Sequence, residues 1–164
     1  MQFIEFSAFF LDGIAFATES VVGRAFGARN KQLVHVTTVR TTQWAAAIAT
    51  LITLGLALGG GWAIDVLTVD RAVRAVARSY LPWAALAPLA GVWCFQLDGI
   101  FIGATRSVDM RHAMLISLLI FLGAWYALTP FGNHGLWAAF YVHYAARTLT
   151  LLAYYPRLLR AAVD

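Results

Sequence analysis

The tetrapeptide Leu-Asp-Gly-Ile occurs twice in this chain, at Leu11–Ile14 and at Leu97–Ile100, each time inside a long apolar segment. A carboxylate taken out of water is costly unless it is paired, hydrated or protonated, so an acid in such a segment is a candidate for binding or moving a cation. Two in matching surroundings suggest a buried carboxylate pair. The first copy also belongs to a series: Glu5, Asp12 and Glu19 recur every seven residues, which holds them within about 20° per heptad on one helix face. Ala8, Ala15 and Gly23 share that stripe, and small residues admit water or a neighbouring helix. The pattern describes a carboxylate-lined cavity wall. In the competing description Glu5 and Glu19 reach the two interfaces and Asp12 is hydrogen-bonded to a neighbouring helix.

Asp98 is placed about six residues from one end of its segment, too deep for a short side chain to snorkel out. Gln96 and Cys94 are its polar or soft neighbours. Gly13 and Gly99 follow the two aspartates; they either loosen the helix, freeing carbonyls for a cation, or permit close helix packing. Near the C-terminus His143, Arg147, Thr150 and Tyr154, at spacings of four, three and four, share one helix face and are candidates for lining a cavity. Arg147 either pairs with a buried carboxylate or snorkels, and His143 either titrates near neutral pH or hydrogen-bonds a neighbour. The sequence has no Gly-rich phosphate loop, His-Glu-x-x-His motif, cysteine cluster or nucleophile elbow. A membrane-embedded enzyme would have only His143 with Arg147 to start from, so no enzymatic activity, cofactor or metal site is expected.

The elements that position these residues follow from composition. The chain is 61% hydrophobic and 12% charged, against roughly 45–50% and 25% in soluble domains, which places it in the membrane class. Cys94 is the single cysteine, so no internal disulfide forms and redox compartment is not legible. The net charge of +4 comes from arginines set mainly between apolar runs, a topology signal rather than a nucleic-acid footprint. The N-terminus shows no basic n-region or cleavage site, and its first apolar segment begins almost at Met1, as in a fragment or truncated reading frame.

Five membrane helices are predicted, at roughly 3–23, 41–64, 81–104, 112–130 and 135–155, each near the ~20 residues a bilayer requires. A short amphipathic turn is expected before Pro82, a kink at Pro88 or a stop at Pro130, and a tight turn over Phe131–Gly135. Arg24, Arg29, Lys31, Arg40, Arg106, Arg111, Arg157 and Arg160 fall on one side, against Arg71, Arg74 and Arg78 on the other. The positive-inside rule then sets the N-terminus outside and the C-terminus in the cytoplasm. The two Leu-Asp-Gly-Ile helices share one polarity, although Asp12 near mid-helix and Asp98 nearer the cytoplasmic end argue against direct contact.

Leu11–Asn30 resembles the second helix of a lobe of the multidrug and toxic compound extrusion (MATE) transporters, and more narrowly their DNA-damage-inducible F branch. Leu97–Met114 is similar to the fourth helix and following loop of the same lobe, and Gly132–Trp137 to the turn before its last helix. The resemblance covers nearly the whole chain. It implies a single membrane domain over 1–164, corresponding to helices eight to twelve of twelve, with the N-terminal lobe and the first helix of this lobe missing. It further implies export of cationic or amphipathic drugs in exchange for protons or sodium, in the plasma (inner) membrane among lipids, with the missing lobe as partner and no nucleic acid involved. It carries a cation- or proton-coupling role to Asp98, with Asp12 and Glu19 as further candidates. The alternative is a truncated, non-transporting membrane protein. The nucleotide sequence upstream of Met1 decides between them: an in-frame lobe there means truncation, and a clean promoter and ribosome-binding site means a genuine short protein.

Overall fold

The structure, a computed structural model, describes residues 2–162, which form five helices joined by three-residue connections. These are α1 (Gln2–Gly27), α2 (Lys31–Leu67), α3 (Arg71–Gly103), α4 (Ser107–Leu128) and α5 (Gly132–Ala161), with a 3-10 turn at Thr129–Phe131 between the last two. The all-α expectation holds. Four stretches are long and apolar enough to cross a membrane: Glu5–Gly27, Lys31–Leu67, Arg71–Gly103 and Ser107–Ala161. The fourth contains both α4 and α5, which composition runs together and the turn at Pro130 separates.

The helices are longer, and the loops shorter, than the sequence reading proposed. Helix α2 begins ten residues earlier because the Asn30 side chain accepts a hydrogen bond from Leu33 N at 2.9 Å, capping it. Its 37 residues span about 55 Å at 1.5 Å per residue, more than a hydrocarbon core of ~30 Å. Likewise Asp70 caps α3 through Ala72 N and Val73 N. The expected separate turn before Pro82 is instead the start of α3. Arg74 donates to the carbonyls of Thr68 and Asp65, both at 2.7 Å, and Arg78 pairs with Asp65 at 2.6 Å, tying those first turns back to α2. Pro82 and Pro88 lie within one continuous helix. The turn expected over Phe131–Gly135 falls three residues earlier in its centre, around Pro130, and Gly132 (φ +57°) opens α5.

Helix α3 is the hub, packing on α1 and α2 on one side and on α4 and α5 on the other; among the described residues the α1 backbone closely approaches neither α4 nor α5. A Cβ on Gly99 would stand 2.5 Å from the Ala15 carbonyl oxygen, and one on Gly103 would stand 2.5 Å from that of Glu19. The two backbones are therefore nearly in contact. Both pairings rise together along the chain, so α1 and α3 run in the same direction. At one end the helix termini share a core of Val22, Ala25, Val34, Phe101, Ala113 and Leu158. Arg24, Arg29, Lys31, Arg106, Arg111 and Arg160 belong to that same end.

Gly99→Ala and Gly103→Ala are expected to force α1 and α3 apart and lower stability by about 1–3 kcal/mol, the usual cost of overpacking. Gly13→Ala, whose added Cβ meets nothing within 4 Å, is expected to be neutral or slightly stabilising. Thermal unfolding of the three variants in lipid nanodiscs checks the contrast.

Candidate functional site

Asp98 and Arg147 come together as a forked ion pair between α3 and α5. Arg147 Nη2 stands 2.7 Å from Asp98 Oδ1, and Nε stands 3.0 Å from Oδ2. The third guanidinium nitrogen, Nη1, reaches Met114 Sδ on α4 at 2.9 Å. The side chains are 27% (Asp98) and 11% (Arg147) exposed. Planar guanidinium geometry explains why one residue takes both carboxylate oxygens. One turn before Arg147, His143 Nδ1 faces the Ser117 carbonyl oxygen at 3.3 Å; a carbonyl only accepts, so this bond requires the proton on Nδ1.

The Leu-Asp-Gly-Ile copies play unequal parts. Leu11 and Leu97 are both buried, but Gly99 lies in the α1–α3 seam while Gly13 is exposed. Both glycines sit in uninterrupted helix, so neither loosens it. The seam pairs residue 15 with 99 and 19 with 103, an offset of 84, whereas the repeat offset is 86. Asp12 and Asp98 therefore differ in depth by about two residues, or ~3 Å along the axis. This corrects the expectation that depth separates them: the helices extend differently at their ends, and the seam sets the alignment. They do not bond to each other. Asp12 and Glu19 are half-buried beside the seam and make no hydrogen bond or ion pair among the described residues. Glu5 is exposed.

The bundle is closed at its basic end and open at the other. Near the basic end His35 Nδ1 on α2 lies 3.3 Å from the Tyr155 hydroxyl on α5. Towards the opposite end α2 and α5 diverge around a cavity of about 700 Å³, whose walls include Leu67, Tyr80, Trp137, Phe140, Tyr141 and Tyr144. Glu5 is the charged residue on its wall. The expected cavity-lining residues lie elsewhere. His143 and Arg147 face α4 and α3, and Tyr154 packs against the basic-end core with the Arg157 guanidinium over its ring at 5.2 Å. Tyr144 forms part of the cavity wall one turn before Arg147, so the ion pair lies just beyond the cavity towards the basic end.

Sequence reasoning missed this aromatic group and the bond from Thr18 Oγ1 to Gln96 Oε1 (2.8 Å) that ties α1 to α3 inside the bundle. The aromatics carried a signal, since Trp137, Tyr141 and Tyr144 share a helix face, but interfacial anchoring explains such a face equally well. Among the described residues no group of three or more His, Cys, Asp or Glu side chains is placed to hold a metal ion.

The MatE family model matches residues 1–131. This chain belongs to the MatE family. It is similar to DNA damage-inducible protein F of Escherichia coli (strain K12), with 39% identity over 158 residues covering 96% of this chain. The chain spans about a third (34%) of that relative's length. No solved structure matches the chain significantly. As a MatE protein it is a multi-pass membrane protein of a transporter family rather than an enzyme.

Leaving either member of this partly buried pair alone strands a charge. Asp98→Asn and Arg147→Met are each expected to lower stability by about 3 kcal/mol, and the double variant is expected to lose less than either. Unfolding in nanodiscs of the four members of this cycle measures the coupling.

Proposed function

We propose that this chain forms part of a secondary active exporter in the plasma (inner) membrane, N-terminus out and C-terminus in the cytoplasm, acting with a second lobe that completes the pathway. The cargo is a small cationic or amphipathic organic molecule, and Asp98 is the principal coupling acid, with Asp12 and Glu19 as accessory carboxylates. The observation that carries the reading is Asp98 itself: a carboxylate within an apolar span, held by one arginine, near a second carboxylate, Asp12, with no partner among the described residues. Such intramembrane acids are expensive and mark ion pathways. The aromatic cavity supports the cargo class, because tyrosine and tryptophan faces attract organic cations and Glu5 offers a counter-charge.

In this reading a cation, proton or sodium, arrives from outside and neutralises Asp98. That removes the cost of holding a charge in apolar surroundings in one of the two conformations. The equilibrium between outward- and inward-open forms shifts by that difference, and cargo leaves outward as the ion enters. The ion is needed as substrate, and no cofactor is required.

In a full-length parent, Asp98→Asn and Asp12→Asn are expected to abolish efflux of a fluorescent organic cation driven by a pH or sodium gradient. Unchanged efflux in both variants would remove those roles.

A further inference from the structure

The Asp98 carboxylate offers two oxygens, and Arg147 occupies both. The guanidinium is anchored further by Met114 Sδ. The remaining neighbours are equally telling. The charged and titratable groups within electrostatic reach of Asp98 are His143 and Arg147 on α5, Cys94 on α3 and Asp12 on α1. From α4 the facing groups are the Met114 thioether and the Ser117 carbonyl, the latter already engaged by His143. Sodium is a hard cation that needs several oxygens at once, whereas these neighbours offer mostly sulfur and nitrogen. A proton needs a single lone pair and no other ligand.

We propose that Arg147 is the residue that sets ion selectivity at Asp98: a tethered cation that takes the place a sodium ion would fill and leaves the proton as the only ion able to compete. The inference rests on the reading of Asp98 as the coupling acid. A proton added to Asp98 removes the charge that the fork holds, so the guanidinium is released without any metal entering. The same argument makes selectivity a property of the α3–α5 contact rather than of the carboxylate, since Asp98 with its fork removed is an ordinary carboxylate near a second one, Asp12.

The test uses the 164-residue chain in lipid nanodiscs, with Tm followed by tryptophan fluorescence in sodium chloride against choline chloride at equal ionic strength. The unmodified chain is expected to show no sodium-specific change. Arg147→Gln is expected to gain a sodium-specific rise of about 3 °C, the size that ligand at ~10 times Kd produces in a domain of this length. The rise is expected to vanish in Asp98→Asn/Arg147→Gln. If Arg147→Gln does not insert, Arg147→Lys replaces it: its compact ammonium holds one oxygen at a time, and a smaller sodium-specific rise is expected. A sodium-specific rise in the unmodified chain that Asp98→Asn removes overturns the proposal, as does the absence of any rise in whichever Arg147 variant inserts. Because the readout is cation binding and not efflux, failure here is distinguishable from failure of the transport role.

Discussion

The close approach of α1 and α3 is the constraint on which the rest of the molecule depends. In lipid there is no hydrophobic drive to press two apolar helices together, so their association rests on van der Waals contact and interhelical hydrogen bonds. Gly99 and Gly103 supply the contact by letting the Ala15 and Glu19 carbonyl oxygens stand where side chains would otherwise project. The Thr18–Gln96 bond, buried along the same seam, supplies the polar part. That seam fixes the axial register of the two helices. The register in turn brings the two Leu-Asp-Gly-Ile copies to nearly one depth and leaves Asp12 and Glu19 at the margin of the packed surface.

With α1 and α2 seated on one side of α3, its other side is left for α4 and α5, and there the second polar device is built. Asp98 lies one residue before Gly99, so the turn that places a glycine against α1 directs the neighbouring carboxylate away from the seam. On α5 it meets a guanidinium whose fork matches both oxygens. Charge in an apolar span is tolerated where it is neutralised locally, and this pair achieves that between two helices that also bond through Trp83 with His134 and Tyr141 nearer the opposite end. Arg106 and Asp109 repeat the device on a smaller scale at the basic end, where a pair at 2.7 Å lets a carboxylate be 6% exposed at the start of α4.

The shape follows from where the helices hold and where they part. The core at the basic end gathers residues from all five helices, and the His35–Tyr155 contact draws α2 to α5 there. At the opposite end Asp65, Arg74 and Arg78 clamp α2 to α3, and among the described residues nothing equivalent draws α2 to α5. The bundle therefore opens into an aromatic cavity at that end, with the ion pair beyond it.

Much of this was legible in the amino-acid order. Apolar run length dictated membrane helices, the arginine distribution dictated a basic end, and the cost of intramembrane charge singled out Asp12, Asp98 and Arg147 before any geometry was known. The residues around Leu11 and Leu97 carry the resemblance to the MatE family, to which the chain belongs. Helix ends were misjudged because capping by Asn30 and Asp70 is a local contact that outweighs the polarity of the residues following it. Tertiary structure alone decided which carboxylate meets which cation. Period and hydropathy place a residue on a face and at a depth, but partner choice depends on the α1–α3 register and on which side of α3 each remaining helix takes. That is why the paired reading of the two aspartates gave way to Asp98 with Arg147, and why the cavity is walled by Trp137, Tyr141 and Tyr144 rather than by the polar stripe one turn away.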